Sequence, residues 1–313
     1  MKQLLEMLRA TAEPTRLRLL GFCARSDYSV GELSLVLGQS QPRVSRHLKI
    51  LCDAGLLERS NEGLFAYYRV VFDGAGADFL RQLMPIFPED DEAFARDLSR
   101  LEIIKSARLR KAEGSMFPVI HQGDERYASY LSDQSAAEAL RDMVLEHPVR
   151  RLLDIGTGTG RALEVLGPNV DVGVGIDASR EMLAQARANL ENAGLQNCRV
   201  RYADLYELPF VNESFDAVMI HHVLRFVDDP KRALREAARV MSPGAHIVII
   251  DFARINAKGK DTGRALGFSD AELGTWFQAA GLRPEKVAKI SGGPGREQIW
   301  RGVRIQDEIA LHG

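Results

Sequence analysis

Cysteine is scarce in this chain: 313 residues hold three, Cys23, Cys52 and Cys198, far apart and with no C-x-x-C pair. That spacing offers neither a disulfide framework nor a thiolate metal site, so no metal is expected. It fits a reducing, cytoplasmic compartment in which all three thiols are inert. Also missing is any run of about 18 apolar residues, which argues against a membrane-spanning helix. The opening MKQLLEMLRATAEPTRLRLL is amphipathic with charges throughout, unlike a signal peptide. Neither charge sign dominates: 41 Lys and Arg face 43 Asp and Glu, a formal net charge of -2. No global field therefore draws the chain to nucleic acid, and any DNA contact must come from a local basic surface. Internal repeats and low-complexity tracts are absent too. What remains, 45% hydrophobic and 27% charged residues, is the composition of globular proteins, at a length that accommodates two domains.

The first organised stretch is helical. EPTRLRLLGFCAR predicts a helix with Pro14 in its first turn and an apolar stripe through Leu17, Leu20 and Phe22. In SVGELSLVLG, Ser29 is placed to cap a short helix, Glu32 to reciprocate three residues later, and Gly38 to end it. A tight turn then leads to a helix begun by Ser40 or Gln41, with Pro42 in its first turn. There Val44, Leu48 and Leu51, spaced four and three apart, must face a core. The opposite face carries Arg43, Ser45, Arg46 and Lys49, suited to a major groove: arginine pairs with guanine edges, lysine and serine hold phosphates. Beyond Gly55, two alternating strands flank Asn61, Glu62 and Gly63, a short hairpin or wing that carries Arg59.

Ser40, Gln41, Val44, Ser45, His47, Leu48, Leu51, Ala54, Gly55 and Leu56, with Tyr67, Tyr68 and Arg69 after the hairpin, give residues 10–71 a resemblance to the winged-helix domain of ArsR-type bacterial repressors. The resemblance implies a dimer on palindromic operator DNA, with Gln41, Arg43, Ser45, Arg46, Lys49 and Arg59 as the DNA-binding residues. The metal-sensing members carry a cysteine pair where this chain has GELSLVLG, so arsenic or zinc sensing is not implied. Winged helices also serve as interaction or dimerisation modules. His47, beside the apolar stripe, can be a packed or capping residue or a reader of bases. Next comes a long amphipathic helix, with Phe94, Leu98 and Leu101 at helical spacing and a basic end at Lys105, Arg108, Arg110 and Lys111. It can be a solvated connector, a dimer seam or a contact to the DNA backbone.

From about residue 150 the pattern alternates strand and helix, as in a doubly wound sheet. VRRLLDIGTGTGRALEVLG is a strand ending at Asp154, a glycine loop and a helix. A dinucleotide fingerprint would need glycine where Arg161 stands, and no basic residue in the preceding loop suits a pyrophosphate. A second strand ends at Asp177, about 23 residues on, where a carboxylate can accept both hydroxyls of a ribose. CRVRYADLYELPF carries a third strand towards Asp204, placed to accept from an adenine amine. FDAVMIHHVLRFVDDPKRALREAARVMSPGAHIVIIDF holds a strand, a helix and a fifth strand.

LDIGTGTG, GIDAS, ADLYELPF, FDAVMIHHVLRFVDDP and VMSPGAHIVIIDF in that order resemble the motifs of class I S-adenosylmethionine-dependent methyltransferases, over residues 148–303. By that resemblance Asp154 closes the first motif, and Gly156, Thr157, Gly158 and Gly160 pack on the methionine portion. Asp177 holds the ribose, Ala178 and Met182 flank the adenine, Asp204 and Leu205 touch its edge, and His221 lines the floor. The expected fold is two-domain: a winged helix-turn-helix, mainly α with a β-wing, in 1–88; a helical linker or dimerisation segment in 89–147; and an α/β Rossmann-like class I methyltransferase domain in 148–313.

Methyl transfer needs an oriented acceptor and often a base. His221, His222 and Asp251, at the carboxyl ends of strands, are the candidates; His221 can equally pack on the cofactor and Asp251 cap a loop. The region after the fifth strand, with Ser269 capping a helix that holds Trp276 and Phe277, leaves modest room for an acceptor lid. No N-P-P-Y-type base-methylating motif follows the fourth strand. Two functions are expected from the whole: a transcriptional repressor that senses S-adenosylmethionine or S-adenosylhomocysteine, as the resemblance to ArsR-type fusions implies, or a small-molecule methyltransferase with a dimerising or autoregulatory winged helix.

Overall fold

Proline and side-chain caps start the helices of the N-terminal half. In the computed structural model, which describes residues 1–62, 65–114, 134–254, 267–289 and 297–305, α1 spans Lys2–Thr11 and α2 Pro14–Cys23. Glu13 caps α2 by accepting from the Arg16 N–H at 2.8 Å, with Pro14 in the first turn. A short β1, Tyr28–Ser29, leads into α3, Val30–Leu37, whose Ser29 and Glu32 form a reciprocal capping box and whose Gly38 turns left-handed at φ 62°. Helix α4, Gln41–Asp53, follows, then the antiparallel wing β2, Leu57–Glu62, and β3, Phe65–Val70, with β3 between β1 and β2. This is the winged helix-turn-helix expected. On α2 the buried apolar side chains are Leu19, Leu20, Phe22 and Cys23, while Leu17 is only half-buried, so the stripe sits slightly off the expected one.

Strand β2 runs on through Asn61 and Glu62, two residues expected in the turn, because Glu62 is buried against a cation described below; Gly63 lies outside the described residues. Helix α5, Gly74–Leu83, and the 23-residue α6, Glu92–Gly114, complete this half. Phe94 and Leu101 of α6 join the core of Leu19, Leu33, Val44, Leu48 and Leu51. The side chains of Lys105, Arg108, Arg110 and Lys111 lie outside those described.

The second half is an α/β sandwich. Helix α7, Gln134–Val144, precedes β4, Arg151–Ile155; α8, Arg161–Leu166; β5, Val172–Asp177; α9, Arg180–Asn192; and β6, Cys198–Tyr202. Then come β7, Phe215–His221; α10, Pro230–Val240; β8, Met241–Phe252; α11, Asp270–Ala279, capped by Ser269; β9, Leu282–Lys289; and β10, Glu297–Arg304. Among the described residues seven strands form one sheet, β6-β5-β4-β7-β8-β10-β9, parallel from β6 to β8 with β10 antiparallel to both its neighbours. Alternate residues serve opposite faces: Leu153, Ile155, Val218, Ile220 and Ile249 pack with Leu234 and Phe277, while Leu152, Met219, Val248 and Ile250 pack with Leu140, Leu163 and Leu183. The strand order reverses between β4 and β7, so the crevice for a ligand lies at their carboxyl ends.

The two halves share a charged seam. Register pairs Glu58 with Arg69, Ser60 with Tyr67 and Glu62 with Phe65, which puts Glu58, Ser60, Glu62, Tyr67 and Arg69 on one face of the wing. That face meets α9 and β6. Arg187 of α9, 3% exposed, donates to Glu62 and, at 3.3 Å, to Asp27, with its guanidinium 4.1 Å from the Tyr67 ring centroid. Arg199 of β6 pairs with Glu58 and stacks on Phe72, Arg69 donates to the Gln196 carbonyl at 2.7 Å, and Tyr28 donates to Glu191.

Candidate functional sites

On α4 the apolar spacing produces the faces it dictates. Val44, Leu48 and Leu51 are buried, and Gln41, Arg43, Ser45, Arg46 and Lys49 are exposed on the other side. Lys49 is partly neutralised: its Nζ lies 2.8 Å from Asp53, four residues on, and this hydrogen bond raises its pKa. Arg59 is exposed on β2. His47 is half-buried with Nδ1 3.6 Å from Glu13; burial, its largest influence, lowers its pKa.

The glycine loop leaves β4 with Gly156, Gly158 and Gly160 all at positive φ, 74°, 54° and 81°. At Gly156 the requirement is double, since a Cβ would also collide with Val223. Asp177 organises the loop: Oδ2 accepts from the Gly158 N–H at 2.9 Å and Oδ1 from the Ser179 N–H at 2.7 Å. Ser179 in turn caps α9 by accepting from Met182 N–H, so Asp177, Ala178 and Met182 sit at the start of that helix. Asn189, further along α9, donates to the Thr159 carbonyl at 2.9 Å and ties the helix back to the loop. Asp204 stands two residues beyond β6 and accepts from Tyr206 N–H, with Leu205 between them packing on the core.

Asp154 is the unusual group. It is 1% exposed; Oδ2 accepts from the Thr157 hydroxyl at 2.7 Å, and Oδ1 has no hydrogen-bond partner among the described residues. Burial first, and the nearby Asp177 charge, push its pKa up to about 7, against the Thr157 hydrogen bond. A buried, orphaned acceptor beside a side-chain-free loop fits a ligand that brings a cationic or N–H donor, as an S-adenosyl nucleoside does.

His221 and His222 leave β7 beside that loop, since Ile155 pairs with Ile220. Burial, then the charges of His222 and Arg225, hold His221 well below the ordinary histidine value. His222 adopts φ 55°; its Nε2 is 2.8 Å from Glu297, its Nδ1 3.8 Å from Asp251, and its ring stacks on Phe252. Burial opposes its charge, but Asp251 and Glu297 outweigh it and raise the pKa. Glu297 had no sequence signal: it follows SGGPGR and reaches the site only because β10 runs antiparallel beside β8. Arg187 was equally silent, an arginine on a polar helix face.

The raised His222 pKa fixes a sign. Its stabilisation is complete below the ordinary histidine value of about 6.5 and is lost as pH rises through the higher folded value. The melting temperature of the native chain is therefore expected to fall above neutrality, and His222→Gln to flatten that limb; equal slopes in the two proteins would remove the assignment. Among the described residues no three His, Cys, Asp or Glu side chains are grouped to hold a metal, and no helix is long and apolar enough to cross a membrane. Burial raises the thiols of Cys23 and Cys198, the latter to about 11.

Residues 13–59 match the model of the bacterial regulatory protein arsR family, and residues 153–249 match a methyltransferase domain. The chain joins an ArsR-type helix-turn-helix to a methyltransferase domain. The chain is 42% identical over 106 residues to phosphatidylethanolamine N-methyltransferase of Cereibacter sphaeroides, covering 33% of this chain and 52% of that one. It is 38% identical over 130 residues to demethylmenaquinone methyltransferase of Thermus thermophilus, covering 41% and 58%. The chain thus spans about half the length of the curated relatives it matches. Among solved structures the cyclase SpnF superposes with a TM-score of 0.51 at 20% identity, over 67% of this chain and 95% of that one, a likeness of fold.

Proposed function

We propose that this protein is a dimeric DNA-binding repressor whose methyltransferase domain binds S-adenosylmethionine or S-adenosylhomocysteine and alters operator affinity in response. One observation carries the reading: α9, Arg180–Asn192, starts just after Asp177 and Ala178, holds Met182 in its first turn, and midway along carries Arg187, buried against Glu62 of the wing and Asp27. A ligand that favours one position of α9 then favours one position of the wing, the differential interaction that coupling requires. In this reading Arg43, Ser45, Arg46 and Lys49 read and grip the major groove, with Gln41 and Arg59 at its borders. Gly156, Thr157, Gly158 and Gly160 hold the methionine portion, Asp154 accepts from it, Asp177 takes the ribose hydroxyls, Asp204 and Leu205 meet the adenine edge, and His221 lines the floor. The bound sulfonium would supply an activated methyl group. Leu4, Leu5 and Leu8, each more than 40% exposed on α1, suit the face of a second copy.

The test is operator binding at fixed salt, using the promoters of the protein's own and neighbouring genes, titrated with each nucleoside. A specific complex whose Kd moves roughly 5- to 150-fold more with one nucleoside than the other is expected. Tight binding indifferent to both, or no specific binding, would reject the sensor.

The half-buried His222, with the buried Asp251 and Glu297 beside it, favours a second reading, a small-molecule methyltransferase. A fold does not fix the chemistry done on it. Transfer of labelled methyl from S-adenosylmethionine to an amine or quinol acceptor would establish it.

A further inference from the structure

The seam between wing and methyltransferase domain holds more positive charge than its carboxylates neutralise. Arg59 and Arg69 from the wing and Arg187, Arg199 and Arg201 from the other side line one cavity of about 30 Å³. Three carboxylates stand against the four guanidinium groups of the seam face, Arg59 being exposed on the alternate face of β2. Glu62 is taken up by Arg187, Asp27 is shared between Arg187 and Arg69, and Glu58 is taken up by Arg199. Arg201 has no carboxylate partner among the described residues; its guanidinium lies 5.4 Å from the Phe210 ring centroid. The buried Nε atoms of Arg199 and Arg201 lack hydrogen-bond partners there. Burial accordingly drives the Arg199 pKa down to about 9 and lowers that of Arg201. Guanidinium groups withdrawn from water without an anion are strongly disfavoured, and their planar forks match oxyanions that offer several acceptors in fixed directions.

We propose that this cavity is a second ligand site, taking one phosphate-type oxyanion clamped between the wing and the methyltransferase domain. A bound oxyanion answers the surplus of one buried cation. The volume admits a small tetrahedral ion, since one water needs about 10–15 Å³ by the same measure, and it excludes a nucleotide. The site does not depend on what the glycine loop binds. A phosphate of bound DNA offers the same chemistry, so free anion and duplex are tested separately.

The experiment is calorimetric titration of the full-length, DNA-free protein with inorganic phosphate, chloride balancing the ionic strength. One-site saturable binding and a raised melting temperature are expected with phosphate and not with chloride. Arg201→Gln should weaken binding roughly tenfold or more, the loss of one charged hydrogen-bonding partner. Arg201→Lys, which keeps the charge and loses the planar fork, should weaken it less. Absence of phosphate binding, an equal effect of chloride, or unchanged affinity in both variants would overturn the proposal. Operator affinity lost in Arg201→Gln without any free-anion binding would assign the cavity to the DNA backbone and overturn it equally.

Discussion

Arg187→Met is expected to destabilise the junction between the domains by about 3–5 kcal/mol, the usual cost of removing one partner from a buried ion pair. The cost comes from what stays behind. Asp27 and Glu62 are 6% and 1% exposed, and without the guanidinium two carboxylates would sit together away from water. The wing should then separate from α9, and limited proteolysis or hydrogen exchange should report new access to residues 57–70. Operator binding should survive, because Arg43, Arg46 and Lys49 stand on α4 and not at the seam, but its dependence on either nucleoside should vanish. A charge-free triple variant, Arg187→Met with Asp27→Asn and Glu62→Gln, should recover much of the stability, since no charge is stranded, while remaining unresponsive. A single variant as stable and as responsive as the native chain would remove Arg187 from the coupling.

That seam marks where sequence reasoning ends. The recognition helix was legible because Val44, Leu48 and Leu51 fix one face by their spacing and leave the basic face by geometry. The glycine loop and the acids Asp154 and Asp177 were legible because loop, strand end and spacing constrain each other locally. Glu58, Ser60 and Glu62 alternate with Leu57 on β2 as a solvated strand face does, and Arg187 occupies a helix face as a surface arginine does. Their burial arises from pairing over 125 residues of chain, and a polar face buried against another polar face leaves no apolar period to read. Glu297 escaped for the same reason, being delivered to His222 by an antiparallel strand pairing. Asp154 is intermediate: its position was readable, but its unpartnered Oδ1 and raised pKa come from packing of Thr157 and Asp177 around it.

Asp177→Ala carries the other large effect. The carboxylate accepts from Gly158 and Ser179 in the described fold and has lone pairs left for ribose hydroxyls. Its loss should remove charged hydrogen bonds worth about 1.5–3 kcal/mol each and loosen the loop as well, lowering nucleoside affinity roughly 100-fold or more. The operator complex should form in this variant but no longer answer to the nucleoside. Arg46→Ala should do the reverse: operator affinity falls by at least the roughly 1–3 kcal/mol of one base contact, while nucleoside affinity is unchanged. The pair separates site from response. If Asp177→Ala also abolished operator binding with the fold intact by circular dichroism, the two sites would not be separable, and the methyltransferase domain would have to take part in holding DNA directly. If it left nucleoside affinity unchanged, the ligand site would lie elsewhere than the carboxyl end of β5, and the route through α9 would lose its starting point.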